Sequence, residues 1–147
     1  MADVSTMMRQ FLIFRLAEEE YGVDIQKVTT IIEKDMLISR VPRTPDYIKG
    51  VINLRGEIVP IMDMRCRFGL PPVEDTEETR IIIIKIEDIA LGLVVDSVAE
   101  VITLGEDAIE NVSTLSADLS NDYLLGVGKV DKRIVTLLNL EKMIKLP

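Results

Sequence analysis

The sequence predicts a mainly β protein built from two copies of a small β-barrel. Three observations support this prediction. Apolar runs of strand length recur along the chain, polar turns separate many of these runs, and the second half repeats the pattern of the first. The chain has 147 residues, of which 48% are hydrophobic, and a chain of this size can bury a substantial core.

The predicted strands form two groups of four. Each run is rich in aliphatic residues and is bounded by a polar or Gly-containing turn. The first group covers 10–16, 21–25, 50–54 and 57–64, and the second covers 79–86, 89–98, 124–130 and 133–140. Few helices are predicted. A short C-terminal helix is indicated over 138–146, because Leu140, Met143 and Ile144 share one helical face.

An internal repeat relates the two groups of strands. Residues 21–32 align with 91–102, and residues 47–64 align with 123–140, with apolar positions and glycines in step. A short unit of several strands leaves unpaired edges unless its sheet closes on itself. Each copy is therefore predicted to form a barrel of roughly 60–70 residues, which would be marginally stable alone.

We therefore expect one domain, 1–147, that consists of two subdomains. Subdomain 1 spans about 11–70 and subdomain 2 about 80–147, with exchange of strands between them allowed. The stretch 71–79 begins with two prolines and is rich in acids, which is typical of an exposed linker.

Composition argues against several classes of function. The chain has no His and one Cys, so we expect no disulfide, no metal or other cofactor, and none of the usual His-assisted nucleophiles. The formal net charge of -8 argues against nucleic acid as a partner. No apolar run reaches the length of a membrane span, and no signal-peptide pattern is present. We expect a cytoplasmic protein without direct membrane contact.

One hairpin tip differs between the repeats. The first copy reads NLRG at 53–56, and the second reads KVDK at 129–132. Asn and Gly suit a tight turn, whereas Arg55 is expected to have no conformational role. Two interpretations remain open: Arg55 pairs internally, with Glu57 or Asp63, or its guanidinium faces a partner protein.

Four stretches of the chain resemble the CheW-type coupling proteins of bacterial chemotaxis. They are 19–28 (EEYGVDIQKV), 44–70, which contains GVINLRGEIVPIMDMR, 91–101 (LGLVVDSVAEV) and 123–143. The NLRG stretch carries the most specific likeness. The same domain also occurs as the regulatory part of the CheA histidine kinase. Because this sequence shows no kinase or receiver segment, we expect a stand-alone adaptor.

The resemblance implies both a fold and a function. The family fold is two SH3-like, five-stranded β-barrels related by pseudo-symmetry, with a hydrophobic groove between them. Family adaptors are not enzymes. They link the regulatory domain of a CheA-type histidine kinase to the helical hairpin tips of methyl-accepting chemoreceptors, within membrane-associated arrays. Kinase contact uses an exposed edge of the first barrel, and receptor contact uses the groove. Arg55 matches the family arginine that is associated with partner binding.

Protein contacts are therefore expected at three places. An adaptor needs exposed apolar anchors with a polar rim, and a groove that accepts an amphipathic helix. The expected contacts are Asn53 and Arg55 at the hairpin tip, Ile25 and Val28 as kinase-facing anchors with Thr30 and Glu33 as their rim, and Val98, Ile102 and Leu104 as groove walls. For the apolar members, burial in the barrel core is the alternative interpretation.

Two further side chains are expected to be structural. Asp96 lies inside an apolar run, where an unpaired carboxylate is costly, so we expect it to cap backbone N–H groups. Cys66 is expected to be a buried or half-buried small hydrophobe.

Other classes of function fit the sequence less well. A carboxylate enzyme needs two acids that converge in a cleft, but the acids here concentrate in the linker and surface turns. A tandem-barrel reader of proline-rich peptides or RNA needs an aromatic groove or positive charge. A regulatory-domain homologue that serves a kinase or receptor outside chemotaxis is the remaining alternative.

Overall fold

The computed structural model describes residues 8–34, 37–110 and 124–143, and the chain is mainly β within these ranges. Eleven strands and two short α-helices are present there. The strands are β1 (Met8–Leu16), β2 (Glu19–Asp24), β3 (Val28–Glu33), β4 (Ile48–Leu54), β5 (Glu57–Asp63), β6 (Arg80–Ile86), β7 (Ile89–Val95), β8 (Ser97–Gly105), β9 (Ile109–Glu110), β10 (Leu124–Val130) and β11 (Arg133–Leu138), and the helices are α1 (Met64–Arg67) and α2 (Leu140–Met143). Short 3₁₀ turns lie at Ile25–Lys27 and Glu106–Ala108.

The chain divides into two compact units with one sheet each. Unit 1 comprises Met1–Gln26 and Ala99–Pro147, and unit 2 comprises Lys27–Val98. The strand order is β8-β1-β2-β11-β10-β9 in the sheet of unit 1 and β3-β6-β7-β5-β4 in the sheet of unit 2. The prediction of a mainly β fold is confirmed.

The two units differ from the intervals 11–70 and 80–147. β3 follows β2 along the chain but pairs with β6, and β8 follows β7 but lies beside β1. Each sheet thus contains one hairpin contributed by the other repeat, β1–β2 in unit 1 and β6–β7 in unit 2. This is a reciprocal form of the strand exchange that the sequence prediction allowed. As a consequence, 71–79 lies inside unit 2 rather than between the units.

The internal repeat reappears in the strand pairing. The β1–β2 and β6–β7 hairpins are offset by 70 residues (Leu16 against Ile86), and β4–β5 and β10–β11 by 76 (Leu54 against Val130). In each unit the two hairpins are joined by a parallel pairing, β11 with β2 and β5 with β7. The repeat therefore describes two hairpins per unit, assembled in the same way.

The sheet of unit 1 has six strands where the resemblance implied five. β9 adds a two-residue pairing to β10, through Ile109 and Glu110. At the matching place in unit 2, a single bridge joins Ser39 and Val51. The difference is thus one short edge strand, and the five principal strands correspond.

Each unit has its own hydrophobic cluster. The buried members are Phe11, Ile13, Ile102, Leu104, Val135 and Leu137 in unit 1, and Ile52, Val59, Ile61, Ile81 and Ile83 in unit 2. The run of four isoleucines at 81–84 is buried on both faces of β6, as an uninterrupted apolar run predicts. Within the described residues, helix α2 begins at Leu140 rather than at the predicted 138. Leu140 and Met143 are buried, whereas Ile144 lies outside the described residues.

Candidate protein-binding site

The β4–β5 hairpin places Arg55 at its tip. Leu54 pairs with Glu57, so that Arg55 and Gly56 form a two-residue loop. Their φ angles are 55° and 85°, and positive φ at both positions is the pattern of a type I′ turn, whose twist suits a hairpin. The Asn53 side-chain oxygen accepts a hydrogen bond of 2.9 Å from the N–H of Gly56, which closes the turn.

The backbone conformation of Arg55 is a property of the turn. The first loop residue has a positive φ in the three other two-residue hairpins as well, at Ala17 (57°), Glu87 (57°) and Asp131 (54°). Positive φ is carried by Arg55 and Gly56 rather than by Asn53 and Gly56. Because left-handed backbone costs a non-Gly residue roughly 1–2 kcal/mol, the turn itself gives no reason for an arginine at this position. Since the four tips share this geometry, the Arg55 tip differs from them in its side-chain chemistry.

The Arg55 side chain is exposed and makes no intramolecular ion pair or hydrogen bond with any residue that the structure describes. The internal pairing with Glu57 or Asp63 is not seen. Asp63 instead accepts a hydrogen bond of 3.0 Å from the backbone N–H of Arg65 and caps α1. The guanidinium is therefore available to another molecule.

An exposed isoleucine lies beside this tip. Ile58 is opposite Asn53 in the β4–β5 register, and 62% of its surface is exposed. Sequence reasoning missed Ile58, although the alternation of β5 gave the signal: Val59 and Ile61 point into the core, which turns Ile58 outward. The tip thus combines a free cation with apolar surface.

The matching hairpin of unit 1 is held by an ion-pair network. Arg133, the first residue of β11, contacts Glu20 of β2 at 3.0 Å and Glu100 of β8 at 2.8 Å. The hydrogen bond to Glu100 is the largest cause of the raised pKa of the Arg133 guanidinium. The matching positions of unit 2 are occupied by Glu57, Ala90 and Thr30, a set without a cation. The Arg55 hairpin therefore lacks this network.

The expected kinase-facing residues differ in exposure and in the unit to which they belong. Ile25 lies in a 3₁₀ turn at the end of the first segment of unit 1, whereas Val28, Thr30 and Glu33 lie on β3 of unit 2. Val28 and Thr30 are half-buried, and Glu33 is exposed. The outward apolar residue of β3 is Ile31, which is 38% exposed and which sequence reasoning missed. Its place follows from the alternating burial along VTTIIE.

Two of the three expected groove walls are core residues. Ile102 and Leu104 are 8% and 5% exposed and belong to the hydrophobic cluster of unit 1. This corrects the groove-wall expectation for both residues and supports its alternative. The physical reason is that β8 joins the sheet of unit 1 and points alternate side chains into that core. Val98 is half-buried at the start of the same strand.

Asp96 is structural, and a side chain is among its partners. It accepts hydrogen bonds from Arg65 Nη2 at 2.6 Å and Nε at 2.9 Å, and Arg65 Nη1 donates to the carbonyl of Pro71 at 2.8 Å. The hydrogen bond to Asp96 is the largest cause of the raised pKa of Arg65, against the lowering effect of burial. These contacts join β7, α1 and the start of 71–79. Cys66 is exposed, which corrects the expectation that it is at least half-buried.

In the described part of the chain, no group of three or more Cys, Asp or Glu side chains is arranged to hold a metal ion. None of the described helices has the length and hydropathy needed to cross a bilayer.

Comparison with known proteins agrees with the fold. A family model described as a CheW-like domain matches residues 10–147. Chemotaxis protein CheW of Klebsiella aerogenes is 40% identical over 139 residues, which cover 95% of this chain and 83% of that protein. Chemotaxis protein CheW of Bacillus subtilis is 38% identical over 131 residues, covering 89% and 81%. The crystal structure of scaffolding protein TtCheW from Thermoanaerobacter tengcongensis matches with a TM-score of 0.86 at 36% identity, over 95% of this chain and 94% of that one. With two SH3-like β-barrels as its fold, this chain belongs to the CheW-like family of chemotaxis scaffold proteins.

Proposed function

We propose that this protein is a non-enzymatic scaffold that couples the helical hairpin tips of methyl-accepting chemoreceptors to the regulatory domain of a CheA-type histidine kinase. The observation that carries the proposal is the exposed Arg55 guanidinium, which has no intramolecular partner among the described residues and stands where the other repeat has Asp131. The protein would work in the cytoplasm at membrane-associated receptor arrays, without touching lipid.

The chemistry of the tip suits recognition of a carboxylate or of backbone carbonyls. A guanidinium presents its donors in a planar fork and keeps its charge at any physiological pH. Its neighbour Ile58 offers apolar area for the desolvated centre of a contact. We expect interfaces at or below the standard size of about 1,600 Å², because a signalling scaffold must exchange its partners.

The test compares two substitutions at the tip. Arg55→Asn keeps a residue that tolerates positive φ, so the fold should be unchanged while the guanidinium is lost. We expect binding to weaken about tenfold in Arg55→Asn, and further in Arg55→Glu, where a carboxylate would face the partner. Calorimetry with a purified receptor cytoplasmic fragment and the kinase regulatory domain measures this, and receptor-stimulated kinase activity should fall in parallel.

Asp131→Asn is the matched control, because it makes the same kind of change at the equivalent tip of unit 1. It should leave both affinities unchanged. If Arg55→Asn is folded and both partners still bind normally, Arg55 is not a contact residue. If it unfolds, the role of Arg55 is structural.

A further inference from the structure

The arginines of this chain fall into two classes. Of the nine, six contact other parts of the chain through ion pairs, hydrogen bonds or a ring: Arg9, Arg15, Arg65, Arg67, Arg80 and Arg133. The other three have no such contact with any residue in the described ranges, and they are Arg40, Arg43 and Arg55. All three belong to one stretch of unit 2, in a chain whose net charge is -8.

Arg40 and Arg43 lie far from the Arg55 tip. Ser39 and Val51, the middle residue of β4, exchange two backbone hydrogen bonds of 2.8 Å, and the loop 40–46 runs from there to the start of β4. Arg55 follows the other end of β4. At about 3.3 Å per residue, the strand separates the start of β4 from the Arg55 tip by about 20 Å. The two arginines therefore define a surface of their own.

The loop that carries these two arginines is held by local hydrogen bonds. The Thr44 hydroxyl donates to the carbonyl of Val41 at 3.0 Å, and the N–H of Ile48 donates to the carbonyl of Pro45 at 2.9 Å. Two prolines in the loop fix their φ angles and so restrict the unbound chain further. Such a loop loses little conformational freedom when a ligand binds, which favours binding.

The loop borders an open cavity of about 450 Å³. Arg40, Arg43 and Lys49 line it, with Asp46 as the one acidic group, and Val41, Pro42 and Ile48 supply apolar wall. Nearby, Leu37 is 86% exposed and Val41 is 40% exposed. We name this surface, residues 40–49, the basic-loop cavity. Its size falls within the roughly 300–1,000 Å³ of ligand pockets.

We infer that the basic-loop cavity is a docking site for a carboxylate-rich, partly apolar segment of a partner protein. The two guanidinium forks and one ammonium form no ion pair with any residue in the described ranges, and they complement acidic side chains of a partner. The apolar wall would receive an aliphatic side chain of the same segment. A nucleic acid fits less well, because its extended phosphate backbone would meet the negative charge of the rest of the chain. Arg55 takes no part in this site, and the partner is defined here by its chemistry alone.

The test measures the binding of a blocked peptide of sequence EELEELEE to the full chain. Binding is followed by NMR chemical shifts of the protein at low salt. We expect shifts concentrated in 40–49 and absent from 53–57. Arg40→Gln/Arg43→Gln should weaken binding about tenfold, since each exposed charge pair contributes up to about 1 kcal/mol. Lys85→Gln/Lys132→Gln removes the same charge from exposed positions elsewhere and should bind the peptide as the native chain does. Thermal unfolding checks that both double variants are folded.

Four outcomes would overturn the inference: no saturable binding of EELEELEE, an equal loss in the two double variants, equally tight binding of QQLQQLQQ, or tighter binding of inorganic phosphate or a twelve-residue oligothymidine at 40–49. Arg55→Asn should leave this peptide's affinity unchanged. A failure here would therefore leave the proposed scaffold function standing, and loss of the Arg55 contact would leave the basic-loop cavity standing.

Discussion

At the scale of the residue, equivalent positions in the two repeats share backbone geometry and differ in charge. Arg55 and Asp131 have φ angles of 55° and 54° at matching tips, yet one is a cation and the other an anion. Arg133 joins three strands of unit 1, and Glu57 takes its place in unit 2. Once the barrel fixes the backbone, exposed side chains at these positions are free to serve a partner.

Tyr21, one of the three tyrosines, should give this protein a distinct alkaline titration. Tyr21 stacks on Phe14, with ring centroids 5.7 Å apart, and burial followed by the charge of Glu19 raises its pKa above the ordinary 10.0. In the native state the phenol therefore keeps its proton at a pH where the unfolded chain has released it. The free energy of unfolding should consequently fall as pH rises past about 10.

Absorbance titration of the native chain and of Tyr21→Phe measures this effect. The difference between the two curves should have its midpoint above that of a free tyrosine. The stability of Tyr21→Phe should also decline less over the same pH range. A midpoint at the ordinary value would show that Tyr21 is fully hydrated.

At the scale of the element, glycines mark the places where strands approach most closely. Gly50 and Gly126 occupy equivalent bulges. Gly50 lies against the backbone of Ser39, and Gly126 lies against the backbone of Glu110. A Cβ at Gly126 would lie 2.6 Å from the carbonyl oxygen of Glu110. At Gly22, by contrast, the nearest atom would be the end of the Leu137 side chain, at 2.9 Å.

We expect Gly126→Ala to destabilise unit 1 more than Gly22→Ala does. The Glu110 carbonyl belongs to a paired strand and cannot rotate away, whereas the Leu137 side chain can change rotamer. Overpacking of this kind costs typically about 1–3 kcal/mol, and we place Gly126→Ala at the upper end and Gly22→Ala at the lower end. Urea unfolding of both variants gives the comparison. Equal losses would mean that β9 moves freely to make room.

At the scale of the whole molecule, the reciprocal exchange of the β1–β2 and β6–β7 hairpins decides which part of the chain is a folding unit. Unit 2 is one continuous segment, Lys27–Val98, and contains all five strands of its sheet. Unit 1 needs two segments that are far apart in sequence. The interval 11–70 includes β1 and β2 but lacks β11, with which β2 pairs. It also lacks β6 and β7.

The fragment 27–98 should therefore fold by itself, and the fragment 11–70 should not. A chain of about 70 residues buries only roughly 60% of its unfolded surface, so 27–98 should be folded but less stable than the whole protein. Circular dichroism and NMR dispersion of the two fragments test this. A folded 11–70 together with an unfolded 27–98 would favour the boundaries that were drawn from the sequence.

The sequence by itself determined the β class, the repeat, eight of the eleven described strands and the family, because apolar periodicity and turn residues are local features of the chain. It did not predict β3, β8 or β9 as separate strands. It also identified the tip that carries Arg55, since aligned repeats show where one copy departs from the other. Only the tertiary structure decided that Ile102 and Leu104 are core, that Ile31 faces outward, and that Asp96 pairs with Arg65. The physical reason is that burial and charge pairing depend on which sheet a strand joins. For β3 and β8, the neighbouring strands are β6 and β1, and each of these comes from the other repeat.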